Sequence, residues 1–288
     1  MPYQGDAKIY VGSTLISSPG GNANQFPGAS TTDGVTGGSS LRDTVTATAS
    51  ATPHTPGSYA EIDASLSGDA GGVFLRLTAN TASSGTNSST VIEIATGASG
   101  SEVAWATVAI GYLITEEQLY VPGFIASGTR VAVRVRSNTA SKAVSAIYTF
   151  LASPTTAPGA PVTMGGTNIA TTSRGVSITA PGSLNTKGAW TEIVASTSAA
   201  FTSLMVGCQA DGDTSTAVAG TLVDIGIGAA SSETVLISDI YLVWATNESF
   251  KYWSPATFGV SIPAGSRLSA RYQRADANNP LDVILVGA

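Results

Sequence analysis

The sequence is poor in charged residues. Aspartate, glutamate, lysine and arginine make up 11% of its 288 residues, whereas soluble domains typically carry about 25%. The formal net charge is −6, and the 13 lysines and arginines are scattered along the chain. Nucleic-acid binding requires clustered basic residues, so we expect no nucleic-acid partner. A surface of hydroxyls and small side chains instead favours packing against neighbouring proteins.

Two residue types that often carry chemistry are nearly absent. Cys208 is the only cysteine, which excludes an intrachain disulfide and a cysteine-rich metal site. It lies in the strand-like "LMVGCQA", where a buried small residue is favoured over a nucleophile. His54 is the only histidine, and its proline-flanked turn indicates a solvated loop residue. We therefore expect no enzymatic activity, no cofactor and no bound metal.

Long apolar runs are also missing. No stretch reaches the roughly 18 apolar residues that a transmembrane helix needs. The N-terminal "MPYQGDAKIYVGSTLISSPGG" lacks the basic region and apolar core of a Sec-type signal peptide. We expect a chain that is made in a cytoplasm and has no membrane partner.

Short runs in which apolar and polar residues alternate are the main pattern of the sequence. Val131, Val133 and Val135 point to one face and Arg130, Arg134 and Arg136 to the other, and "LVDIGIG" (222–228) shows the same period of two. Turn residues punctuate these runs, which is typical of an antiparallel sandwich. Helical periodicity is weak, and the best helical candidate is a short turn at Thr115–Gln118.

The chain is an internal duplication. "SYAEIDAS" (58–65) recurs as "AWTEIVAS" (189–196), and "EIATGASGSE" (93–102) recurs as "DIGIGAASSE" (224–233) at the same offset. After a six-residue insertion, "SGTRVAVRV" (127–135) matches "AGSRLSARY" (264–272). Two copies are too few for a solenoid, so each must bury its own core.

The duplication retains acids and arginines in a chain that has few charges. Carboxylate pairs could indicate a glycosidase, but strand-tying ion pairs are the favoured interpretation, with ligand binding second and catalysis last. The retained acids include the pair Glu93/Asp224. The predicted structural charge pairs are Glu61, Glu102, Arg130 and Arg134 in the first copy and Glu192, Glu233, Arg267 and Arg271 in the second. "DGDTS" (211–215) resembles a calcium loop, but Leu222 stands where that loop needs glutamate, so a turn is favoured.

These patterns predict an all-β protein of two tandem duplicated antiparallel β-sandwich domains, jelly-roll-like, with an extended N-terminal arm. We place the arm and a Gly/Ser/Pro segment at 1–45, the first sandwich at 46–152, a linker at 153–175 and the second sandwich at 176–288. The strand-like "AKIYVGSTLI" (7–16) either docks on a neighbouring subunit or completes the chain's own first sheet.

The repeated phrases resemble β-sandwich modules of tailed-bacteriophage virion proteins. The resemblance lies in "WTEIVAS", "IGIGAASSE" and "IPAGSRLSAR" and covers about 46–288. It implies a non-enzymatic accessory structural protein of head, neck or tail, such as a capsid decoration protein, located in the virion. The implied partners are further copies of the chain, with a trimer favoured, and the major capsid or tail protein.

A host-surface adhesin that binds polysaccharide is the alternative. Its candidate ligand-binding aromatics come from one segment of the second copy. The other interpretation of these aromatics is that they pack in the core or at a protein interface. These residues are Trp244, Phe250, Tyr252 and Trp253.

Overall fold

The structure is a computed structural model that describes most of the chain. The described residues are 9–11, 14–17, 44–66, 68–79, 89–112, 116–137, 139–152, 159–166, 175–179, 181–210, 220–245, 249–250, 256–275 and 281–288. Within these ranges all regular secondary structure is β-strand, and all strand pairs are antiparallel. The all-β, antiparallel fold class is confirmed.

Twenty strands follow one another along the described chain. The first ten are β1 (Ile9–Val11), β2 (Thr14–Ser17), β3 (Thr44–Thr48), β4 (Ala60–Asp63), β5 (Ala70–Ala79), β6 (Ser89–Thr96), β7 (Val103–Tyr112), β8 (Glu116–Ile125), β9 (Val131–Ser137) and β10 (Ala143–Ala152). The second ten are β11 (Val162–Met164), β12 (Val176–Ile178), β13 (Thr191–Val194), β14 (Phe201–Ala210), β15 (Gly220–Ile227), β16 (Thr234–Ala245), β17 (Ser249–Phe250), β18 (Ala256–Ile262), β19 (Leu268–Arg274) and β20 (Leu281–Gly287).

Strands β3 to β20 build four sheets with a repeated order. Sheet I is β3-β10-β5-β8 and sheet II is β4-β9-β6-β7. Sheet III is β11-β20-β14-β18, with β12 also paired to β20, and sheet IV is β13-β19-β15-β16-β17. Replacing each strand of sheets I and II by its repeat partner gives β12-β20-β14-β18 in sheet III and β13-β19-β15-β16 in sheet IV, and β11 and β17 lie outside this correspondence. The two halves therefore share one topology, as an internal duplication requires.

Each half encloses its own apolar core between two sheets. Val131, Val133 and Val135 of β9 point into the first core, as their alternation predicts. The second core receives Leu268, Ala270 and Tyr272 of β19 together with Val223 and Ile225 of β15. Because successive side chains of a strand face opposite sides, the polar residues between them lie on the outer faces of sheets II and IV.

The two halves are also packed against each other, sheet II against sheet III. Strands β14 and β20 contact β7 of the first half, and β20 is buried along its whole length. Val91, Ala109 and Ile284 form a small apolar cluster between the sheets. A Cβ added to Gly207 would lie 2.7 Å from the carbonyl oxygen of Ala109, so only glycine permits this approach.

Among the described residues, three hydrogen bonds cross this contact. The side-chain amide of the buried Gln209 donates to the carbonyl oxygens of Thr90 and, at 3.0 Å, Ile110. The backbone N–H of Thr107 donates to the hydroxyl of Thr163 at 3.0 Å. Buried polar groups are costly unless they are hydrogen-bonded, so these bonds offset part of the cost of burying the donors at this contact.

Three expectations need correction or restatement. The predicted strand at 7–16 is instead two short strands, β1 and β2, that pair with each other in a sheet of their own; donation to a neighbour stays a prediction. The helical turn predicted at Thr115–Gln118 is wrong, because β8 begins at Glu116. The segment expected as a linker contains β11, which pairs with β20; residues 18–43, 153–158 and 167–174 lie outside the described residues.

Candidate functional site

The retained charges form two clusters in each half, and the first cluster ties the ends of four strands. Arg130 Nε lies 2.7 Å from Glu61 Oε2, and Arg130 Nη1 lies 3.0 Å from Glu102 Oε1. The same Nη1 donates to the carbonyl oxygen of Gly97 at 3.2 Å. These partners come from β4, the start of β7 and the end of β6, while Arg130 immediately precedes β9. One guanidinium therefore joins the same end of all four strands of sheet II.

The second half repeats this arrangement. Arg267 Nε lies 2.7 Å from Glu192 Oε2, and Arg267 Nη1 lies 2.8 Å from Glu233 Oε1. Arg267 Nη1 also donates to the carbonyl oxygen of Gly228 at 3.3 Å. A guanidinium can satisfy several acceptors in fixed geometry, which a lysine cannot. The recurrence of every contact in both halves indicates one structural device that was copied with the fold.

The ionisation of these groups reflects the pairing. The hydrogen bond to Glu61, followed by that to Glu102, raises the pKa of Arg130. The pKa of Glu102 is lowered, first by its own backbone hydrogen bond and then by Arg130. For Glu233 burial acts to raise the pKa, but the hydrogen bond from Arg267 and backbone N–H groups lower it overall. All of these groups are consequently charged at neutral pH.

The second cluster lies on the outer sheet face and contains an aromatic ring. In the first half, Arg134 Nη2 lies 2.7 Å from Glu93 Oε1, and its Cζ lies 4.4 Å from the centre of the Tyr59 ring. The Tyr59 hydroxyl donates to Glu93. Burial and this hydrogen bond raise the pKa of Tyr59, so the phenol stays protonated.

The second half has a larger version of this cluster. Arg271 Nε lies 2.9 Å from Asp224 Oδ2, and its Cζ lies 4.3 Å from the centre of the Trp190 ring. Lys187 Nζ adds contacts of 2.6 Å to Asp224 Oδ1 and 2.9 Å to Asp239 Oδ1. Burial acts to raise the pKa of Asp224, but hydrogen bonds from the Asp239 N–H, Lys187 and Arg271 lower it overall.

The exchange of Tyr59 for Trp190 is matched by a change underneath the ring. The residue of β15 that corresponds to Ala95 is Gly226. A Cβ added to Gly226 would lie 2.8 Å from Trp190 Cζ3, so the larger indole fits only above glycine. Sequence reasoning missed this pair, and it also missed Lys187 and Asp239, which have no charged counterpart in the first copy.

The remaining candidates do not join these clusters. Cys208 is fully buried in the second core, and burial raises the pKa of its thiol. His54 has a φ of 63° and its repeat partner Asn185 has a φ of 54°, so His54 occupies a left-handed turn position that both residue types tolerate. Among the described residues, no group of three His, Cys, Asp or Glu could hold a metal, and no helix is long and apolar enough to cross a membrane.

The predicted ligand-binding aromatics are only partly within the described residues. Trp244 of β16 pairs in register with Phe250 of β17 at the edge of sheet IV. Tyr252 and Trp253 lie outside the described residues, as does the "DGDTS" segment at 211–215.

Comparison with known proteins gives weak likenesses. No protein-family profile matches the chain, and no curated protein matches it significantly. The solved structure of PNGF-II in a C2 space group aligns with a TM-score of 0.34 and 8% identity over 81% of this chain and 59% of PNGF-II. The N-terminal CBM22-1–CBM22-2 tandem domain of Paenibacillus barcinonensis Xyn10C aligns with a TM-score of 0.27 and 11% identity over 77% of this chain and 79% of that one.

A third likeness involves the infectious bursal disease virus VP2 subviral particle. Its TM-score is 0.18 with 12% identity over 85% of this chain and 70% of that chain. Scores this low carry no argument about function, so what this chain does must be inferred from its own residues.

The first cluster predicts an asymmetric response to substitution. The Glu233 side chain is 3% exposed, whereas that of Glu192 is 48% exposed. Arg267→Gln leaves a buried carboxylate without its cation, which is strongly unfavourable, while Glu192→Gln removes an exposed pair of small value. We expect Arg267→Gln to lower the midpoint of thermal unfolding at pH 7 by clearly more than Glu192→Gln.

The pH dependence of this difference tests its electrostatic origin. A carboxyl whose folded pKa is lowered stabilises the fold above its unfolded pKa, here 4.5, and loses that contribution as pH falls through the folded value. The difference in the midpoint of thermal unfolding between wild type and Arg267→Gln should therefore become smaller as pH falls below about 4.5. A difference in unfolding midpoint that stays constant from pH 7 to pH 3 would show that the Arg267–Glu233 ion pair is not its cause.

The ring and the residue beneath it should be energetically coupled. Gly226→Ala should destabilise the protein by about 1–3 kcal/mol, as overpacking does. Adding Trp190→Tyr restores the Tyr/Ala combination of the first half and should recover part of that loss, measured by denaturant unfolding in a double-mutant cycle. Gly259→Ala, where an added Cβ meets nothing within 4 Å, is the matched control. Strictly additive effects would show that the ring does not rest on Gly226.

Proposed function

We propose that this chain is a non-enzymatic structural protein of a tailed-bacteriophage virion, acting as a capsid decoration protein or as a neck or tail accessory protein. The observation that carries the proposal is that the charged residues retained in both halves form ion pairs that join strand ends. Arg130 and Arg267 each bind two carboxylates and a carbonyl at one end of sheet II and sheet IV, respectively. These acids are bound to cations that fix the strands, which is a structural task.

The packing of the two sandwiches and the low charge of the chain are also consistent with a structural subunit of a larger assembly. Sheets I to IV are joined through the close contact of sheets II and III, so the two sandwiches form one body with tightly packed layers. The low charge of the chain suits contact with neighbouring subunits. The placement in a virion is supported by the resemblance of the repeated phrases to phage modules. The homo-oligomer, with a trimer favoured, and contact with the major capsid or tail protein remain predictions.

Particle association tests the proposal directly. Lysates of the source culture would be separated on a density gradient and probed with an antibody against the chain. We expect the chain to co-migrate with intact particles and to remain with them after a second gradient. A host cytoplasmic protein that stays at the top of the gradient is the control. Recovery of the chain only at the top, in a lysate that contains particles, would refute the proposal.

A further inference from the structure

The outer face of sheet IV corresponds to the face of sheet II that the second sandwich covers. In sheet II, Val108 pairs with Ile92, and in sheet IV Ile240 pairs with Val223. The next residues, Ala109 and Tyr241, are therefore equivalent. Ala109 is fully buried against sheet III, whereas Tyr241 is 60% exposed. The same position thus contacts a sheet in one half and faces solvent in the other.

The contact between the halves cannot simply be repeated on sheet IV. Ala109 admits the backbone of Gly207 so closely that a Cβ would clash with its carbonyl oxygen. A tyrosine ring at the equivalent position stands where that backbone would have to lie. We conclude that this face of sheet IV has diverged from sheet docking.

The exposed tyrosine lies flat on the sheet because a glycine is beneath it. A Cβ added to Gly220 would lie 3.2 Å from Tyr241 Cε2 and 3.4 Å from the hydroxyl oxygen. Trp190 is held over Gly226 of the same strand in a similar way. Six residues of strand separate the two glycines, which places the rings about 20 Å apart.

A polar strip lies between the two rings. It consists of two cations and two anions, Arg271 and Lys187 with Asp224 and Asp239. The Asp239 side chain is 60% exposed, because a bulge in β16 lifts it out of the regular register. The strip therefore offers charged hydrogen-bonding groups with no net charge.

We propose that the outer face of sheet IV binds a neutral polysaccharide, with one sugar ring stacked on Tyr241. The C–H face of a pyranose matches an exposed aromatic ring, and its hydroxyls can both donate to and accept from an ion-paired strip. A polyanion would meet the exposed carboxylate of Asp239, and a basic partner would meet Lys187 and Arg271. The proposal does not depend on the virion assignment, although on a particle this face would contact host glycan.

Affinity electrophoresis of the full chain tests this face. Native gels would contain dextran, soluble starch, mannan or galactomannan, with polygalacturonate as the charged comparison. We expect retardation by at least one neutral polysaccharide, unaffected by moderate salt. Tyr241→Ala should weaken that binding by about tenfold or more, which is about 1.4 kcal/mol, while Tyr241→Phe keeps the ring and should stay close to wild type.

Tyr120→Ala is the matched control. Tyr120 is 37% exposed and also lies over a glycine, Gly72, but on sheet I. Its substitution should leave binding unchanged. No retardation by any of the neutral polymers, equal binding by wild type and Tyr241→Ala, or binding restricted to polygalacturonate and lost in salt would overturn the proposal. Particle association of Tyr241→Ala should be intact, so failure here is separable from failure of the structural role.

Discussion

Strands β14 and β20 are buried on both faces because sheet III packs against its own partner sheet and also against the first sandwich. Leu204, Val206 and Cys208 of β14 point into the second core, while Met205 joins the core cluster of the first half. A polar group on either side of such a strand is costly unless it is hydrogen-bonded. The glycine at 207 and the two hydrogen bonds that the Gln209 side-chain NH2 group donates fit this constraint, as does the apolar run from Val283 to Val286 of β20.

The same contact explains why two copies of one fold now differ on equivalent faces. The outer face of sheet II is partly closed by the second half, so small residues such as Ala109 were retained or acquired there. The outer face of sheet IV has no such cover among the described residues, and it carries Tyr241, Lys187 and Asp239 instead. The strand-end clusters around Arg130 and Arg267 lie away from this difference and have kept every contact. Charge is scarce in this chain, and part of it joins the ends of strands in both halves.

The sequence predicted those features that depend on local periodicity or on repetition. Alternation in β9 and β19 predicted which side chains enter the cores, and retention of Glu61 and Arg130 in the second copy pointed to an ion pair. It did not predict the contact between sheets, because Ala109 and Gly207 are small residues with no distinctive pattern. The bulge that exposes Asp239 and the fit of Trp190 over Gly226 depend on register and on tertiary contacts, which no single segment encodes.

The claim that both halves form one body can be measured by differential scanning calorimetry of the full chain. If sheets II and III share a buried contact, neither half can unfold without exposing apolar surface of the other. We predict a single transition whose calorimetric and van't Hoff enthalpies agree. Two resolved transitions, or a calorimetric enthalpy near twice the van't Hoff value, would show that the halves unfold independently and would contradict it.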